Sequence, residues 1–383
     1  MSLRVDSRAA SSNVAAVHTS EDGSAAEVQF TAAPCGCSES LWFHFRLRES
    51  ASDRPHPDRI TLTLLFVRSM TGCESPTALR PVYRGANQGW NRAKAGRVTA
   101  ADDGQVSVSW DIPYPTPFTD VALCYPYGQA ELDSLIRKSK GYWASSSIGL
   151  SQGGRLIQRV SNSVAPGPGS RPGIFLVARQ HAGETPGSWV LDGILDHFSR
   201  KRVSRALTWV VPLADAGGIE RGNYGRDSFA FDLDQAWGIP PLRHETCVIQ
   251  ADMNEWRSRC QPALVLDLQA AGGSVSEGIS CRLPGQDEES AAARDSMKWA
   301  NVFAEALGEE YAAADFKQRP DGLRSAAGLS LGAYARQVLA VGALTLEVPY
   351  ALCGKTVMTP KQYREAGRRI SRAILRRVIT SES

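Results

Sequence analysis

The stretch from Arg171 to Phe198, RPGIFLVARQHAGETPGSWVLDGILDHF, constrains the fold more than any other. Ile174, Phe175, Leu176 and Val177 form a short apolar run set off by Pro172 and Gly173, which predicts a buried strand. Thr185 is placed to act as an N-cap, with Pro186 at the first helical position, where a missing N–H costs nothing. Val190, Leu191, Ile194, Leu195 and Phe198 then recur at helical spacing and make one apolar face. Between strand and helix lies His181-Ala182-Gly183-Glu184. In an open α/β sheet, ligands bind off the carboxyl ends of strands, where this loop falls. An imidazole and a carboxylate held there can share one metal ion, and Gly183 lets the backbone fold tightly enough for both to point inward. The bland alternative is a helix-entry loop whose Glu faces the helix dipole.

The segment sits in a chain of 383 residues, long enough for two or three domains. Hydrophobic and charged contents of 43% and 22% are those of a water-soluble globular protein. No run approaches the roughly 20 apolar residues of a membrane span, and the first 20 residues lack the apolar core of a secretory signal. A net charge of +3 argues for neither nucleic acid nor a membrane surface as partner. The eight cysteines are scattered, and Cys35-Gly-Cys37 is too tight for a zinc knuckle, so free thiols in the cytoplasm are expected.

Residues from about 20 to 120 read as all-β, because AEVQF, LWFHFRLR, RITLTLLFV and QVSVSWDI are β-rich segments separated by turn material. An antiparallel β-sandwich over residues 1–120 is therefore expected, closed by the proline-rich IPYPTPFTD. From 121 to 383 strands alternate with helices, which predicts an α/β domain. GIFLVAR, LTWVVPL, ALVLDLQ and ALTLEVPY are apolar on both faces and suit a central sheet flanked by helices. The last helix is announced by Thr359, Pro360 and Gln362 as a capping box, with Ile370, Ile374 and Val378 as its buried stripe. Its arginines, from Arg364 to Arg377, read as a solvated face.

Other sequence features bear on chemistry. A long Gly-rich stretch, ADAGGIERGNYGRDSFAFDLDQAWG, follows one central strand, and loops of this length inside a domain are usually functional. Glu347 is a lone carboxylate in an apolar strand, so it is either ion-paired or a base beside a metal-bound water. Gly328-Leu-Ser330-Leu-Gly332 fits a nucleophile-elbow pattern, but no strand precedes it and no histidine follows His244.

The order of short motifs resembles the zinc carboxypeptidases, and especially their cytosolic branch that trims glutamates from tubulin-type tails. The matching segments are Tyr125-Pro126-Tyr127, His181 and Glu184 with Trp189, and Gly222-Asn223-Tyr224. Asp232-Leu233-Asp234-Gln235, Asp267-Leu268-Gln269 and Thr345-Leu346-Glu347 complete the set, so the similarity runs along nearly the whole chain. The resemblance implies a carboxypeptidase-like α/β fold, a peptide or amide substrate and one zinc ion. It makes His181 and Glu184 the first two ligands and Glu347 the base. The third ligand, a histidine in the family, is Gln269 here, which implies weak metal binding because zinc prefers N, S and carboxylate donors. The Asn-Arg pair that grips a terminal carboxylate is Asp234-Gln235, and Arg226 stands one place late for a further arginine. Two expectations follow: a zinc hydrolase of atypical substrate, or a silent binding protein on the same scaffold. His244 is the spare candidate ligand, since His197 falls on the first helix.

Overall fold

The N-terminal strands form by simple alternation. In Ala25–Thr31 the side chains of Ala26, Val28 and Phe30 are buried, and in Val106–Pro113 those of Val106, Val108, Trp110 and Ile112. The structure, a computed structural model, describes residues 3–22, 25–35, 39–49, 57–162, 169, 171–226, 232–273, 275–283, 289–318 and 328–380. Two five-stranded sheets hold the first 122 residues. Their strands pair antiparallel except where Ala25–Thr31 runs parallel to Arg59–Leu64.

The rest of the chain builds an eight-stranded mixed sheet. Its spatial order is Ala144–Leu150, Leu156–Ser161, Leu207–Val211, Pro172–Ala178, Gln261–Ala270, Ala343–Val348, Ile279–Arg282 and Ala312–Gln318. The four central strands, Leu207–Val211 to Ala343–Val348, are parallel. Successive side chains serve opposite faces: Ile174 and Leu176 join one buried cluster, Phe175 and Val177 the other. The first cluster runs continuously from Phe30, Phe43 and Phe45 of the N-terminal sheets to the helices Thr185–Lys201 and Pro360–Thr380. The second is closed by helices His244–Ser258 and Leu331–Gln337.

The two helices of the first face cross at Gly193 and Gly367, where an added methyl would strike the carbonyls of Arg364 and Val190. Arg364 closes the crossing with a 2.6 Å bond from Nε to Asp192, whose other oxygen accepts from the Tyr127 hydroxyl at 3.2 Å. Trp189 Nε1 donates to the Tyr125 carbonyl at 2.9 Å. The Tyr-Pro-Tyr segment thus anchors the helix that carries Glu184 at its entry. That helix starts at Thr185 with Glu184 as N-cap, one residue ahead of the expectation, and the Glu184 carboxylate makes no capping bond because it is engaged by His181 and Ala270 N. Cys124, Cys247, Cys260, Cys281 and Cys353 are free thiols. Ser330 is the N-cap of Leu331–Gln337, its hydroxyl accepting from Ala333 N, which leaves the Gly-Leu-Ser-Leu-Gly motif a helix start.

Candidate active site

Three adjacent strands lay out the site in two rows. Register sets Gln269 opposite Glu347 and Glu347 opposite Ser280. One step along the same face, Asp267 lies opposite Thr345 and Thr345 opposite Arg282. The His181–Glu184 loop arrives from the carboxyl end of the neighbouring strand. It is pinned there because Glu184 Oε2 accepts from the backbone N–H of Ala270 at 2.8 Å. Gly187 allows the approach: a methyl on it would collide with the Leu268 carbonyl.

His181 is buried between two carboxylates. Its Nδ1 is 2.8 Å from Glu184 Oε1 and its Nε2 is 2.8 Å from Asp232 Oδ1. Burial disfavours the charged ring, but Glu184 and Asp232 outweigh it and hold the imidazolium well above its ordinary range. Gln269 is fully buried; its Nε2 donates to Asp234 Oδ1 at 2.8 Å and to Asp267 Oδ2 at 2.6 Å. Its Oε1 accepts from Arg282 Nη2 at 3.3 Å. Asp267 is supported from behind by Gln180 Nε2 at 2.8 Å, and Trp237 Nε1 in turn donates to Gln180 at 2.6 Å.

Two carboxyls here titrate unusually. Burial, reinforced by the neighbouring charge of Asp234, pushes Asp267 well above the carboxylate range. Burial also raises Glu347 to about 7, against the pull of Arg282 and with Glu184 adding to the rise. Asp234 goes the other way: burial opposes its charge, but Arg282 and His181 hold it below its usual value. Arg282 Nη1 meets Asp234 Oδ2 at 2.9 Å, while Nη2 is ion-paired with Glu347 Oε1.

His181, Glu184, Arg226, Asp234, Gln235, Gln269 and Glu347 lie in or beside this cluster. Arg226 approaches Glu184 Oε1 at 4.0 Å, but its nearer partner is Glu39 of the N-terminal region, at 3.2 Å. Gln235 donates to its own neighbour Asp234 at 3.1 Å. His244, expected as a spare ligand, is instead exposed at the first turn of His244–Ser258. His197 lies on Thr185–Lys201 as expected and is bound to Ser371 Oγ at 2.8 Å. Sequence reasoning missed two participants. Arg282 is a lone charge in the apolar segment ISCRL, the same signal that drew attention to Glu347. Asp232 lay inside a recognised motif, but only the fold shows it against His181.

The residues fit a metal ion in two of its ligands. Asp267 Oδ1 is a buried acceptor without a hydrogen-bond partner. His181 and Glu184 are adjacent and of the types zinc prefers. Among the described residues no three His, Cys, Asp or Glu side chains form a metal-binding group.

No protein-family model matches the chain. Cytosolic carboxypeptidase 6 of Mus musculus is 33% identical over 141 residues, which is 33% of this chain and 26% of that protein. Its counterpart in Caenorhabditis elegans is 23% identical over 219 residues, covering 52% of this chain and 47% of its own length. The matches thus take in less than half of either relative. A metallo-carboxypeptidase from Burkholderia cenocepacia superimposes with a TM-score of 0.76 at 16% identity, over 99% of this chain and 100% of the other. One from Pseudomonas aeruginosa gives 0.75 at 17%, over 98% and 99%. The sheet order, the flanking helices and the N-terminal sheets are therefore those of a metallo-carboxypeptidase fold. In fold the chain is similar to metallo-carboxypeptidases, and over a third to a half of its length its sequence is similar to cytosolic carboxypeptidases.

Proposed function

We propose that this protein is a peptidase-type hydrolase that cleaves an amide bond in a peptide or related substrate, with Glu347 as general base and zinc held by His181 and Glu184. The carrying observation is the shared strand edge: Glu347 lies in register with Gln269, and the next residue, Ala270, holds Glu184 by its backbone N–H. Zinc, when bound, would polarise the scissile carbonyl and lower the pKa of a water. Gln269 would complete the set through its amide oxygen, and this donor implies weak binding.

The protein's own groups supply the rest. Glu347 is buried and pushed to about 7, so near neutrality it can take a proton at its carboxylate and return it to the leaving amine. Asp234 cannot grip a substrate carboxylate, because it is itself an anion held by Arg282 and Gln269. Gln235 offers no guanidinium fork. We therefore assign an atypical substrate, one whose recognised end lacks a free terminal carboxylate. The cytosolic relatives support a cytoplasmic peptide substrate rather than a nucleic-acid or membrane partner. Glu347→Gln keeps the shape and should lower any turnover by roughly 10²–10⁴-fold with metal binding intact. Unchanged turnover would remove Glu347 from the mechanism.

A second reading, ligand binding without turnover, is favoured by one observation. Arg282 already neutralises Glu347 and Asp234, as a retired site would arrange.

A further inference from the structure

We infer that Arg282 is the resident counter-cation of this site, and that its contacts compete with a divalent metal for the same side chains. The inference rests on the reading that His181 and Glu184 are metal ligands, and concerns what governs loading of that site.

The geometry is specific. Arg282 ends the strand Ile279–Arg282, which runs antiparallel to Ala343–Val348 with Arg282 opposite Thr345. That register puts its side chain on the face carrying Asp267, Gln269 and Glu347, one row from the base. From there the guanidinium spreads over three partners. It donates to Asp234 Oδ2 at 2.9 Å and to Gln269 Oε1 at 3.3 Å, and it is ion-paired with Glu347 Oε1. The planar fork is suited to this because its donors diverge in one plane.

Each partner is one that a bound metal would also draw on. Gln269 has a single amide oxygen near the site, and Arg282 holds it; its nitrogen is committed to Asp234 and Asp267. Turning the amide over would present the oxygen to two carboxylates and remove the donor that each takes from Gln269. The guanidinium therefore competes with a metal for the amide oxygen. Glu347 and Asp234 supply the negative charge that would attract a divalent ion, and Arg282 already offsets part of it. Two cations within a few ångströms in a buried site also repel strongly. Metal entry thus requires Arg282 to release Gln269 and to move away from Glu347, the same movement that frees the base. Arg282 couples loading and activation in one side chain.

Calorimetric titration with zinc chloride tests this on the full-length protein. Arg282→Met should bind zinc roughly 10-fold or more tighter than wild type, by analogy with the size of effects from groups around a metal site. Arg282→Lys keeps the charge and should fall between the two. His181→Ala in the Arg282→Met background should abolish the gain. Equal affinity of wild type and Arg282→Met, with binding still lost on His181→Ala, would overturn the role of Arg282 while sparing the metal site. Binding that survives His181→Ala would instead overturn the metal-site reading itself. If Arg282→Met does not fold, crystals of wild type soaked in zinc decide. Anomalous density between His181 and Glu184 should coincide with Arg282 turned away from Glu347, and density with Arg282 unmoved would overturn the inference.

Discussion

Glu347 combines burial, an arginine partner and a carboxyl pushed to about 7, so its protonation state changes where most hydrolases are assayed. The sign is direct. Below that value the group carries its proton and cannot act as a base; above it the base form dominates. Amide hydrolysis should therefore rise with pH through a midpoint near 7, and a rate–pH profile showing no change between about 5.5 and 8.5 would contradict the assignment. Gln269 gives a second residue-scale expectation. Gln269→His places a nitrogen donor at the third corner, and zinc affinity measured by calorimetry should rise by about 10–100-fold. No rise would mean that this position does not face the metal. His181, Glu184 and Glu347 were legible in the sequence because each breaks its local pattern in a motif of known order. The roles of Asp232 and Arg282 were not, since they depend on contacts across 51 residues to His181 and 48 to Asp234 that only the folded chain makes.

At the scale of elements, the site depends on how closely the helix Thr185–Lys201 approaches the strand Gln261–Ala270. Gly187 sets that distance by lacking a side chain against the Leu268 carbonyl, next to Gln269. Gly187→Ala should push helix and strand apart, costing about 1–3 kcal/mol in urea unfolding. It should also weaken zinc binding by displacing Ala270 N from Glu184. A variant as stable as wild type would show that the contact relaxes without cost. The central strands and the first and last helices were readable from apolar runs and capping residues. Less readable was the parallel pairing of Ala25–Thr31 with Arg59–Leu64, because alternation sets which face is buried but not which neighbour a strand chooses. Residues 227–231 of the Gly-rich loop lie outside the described residues.

For the whole molecule, one buried cluster joins the N-terminal sheets to the first face of the large sheet. Glu39 reaches from the N-terminal region to Arg226, so both parts contribute charges near the site. The division into 1–120 and 121–383 is a proposal on this footing, with the first unit shaping access to the second. The solved neighbours share the scaffold, whereas the proposed chemistry rests on Asp234, Gln235, Gln269 and Arg282 of this chain. The most direct test is a mass-spectrometric cleavage screen of paired peptides, one member with a free C-terminus and one amidated, with zinc and with chelator. Zinc-dependent amide cleavage that is suppressed by chelator and does not require the free C-terminus is the predicted result. Absence of cleavage in every condition would contradict the hydrolase reading in favour of a binding protein, and efficient release of free C-terminal residues would contradict the substrate assignment.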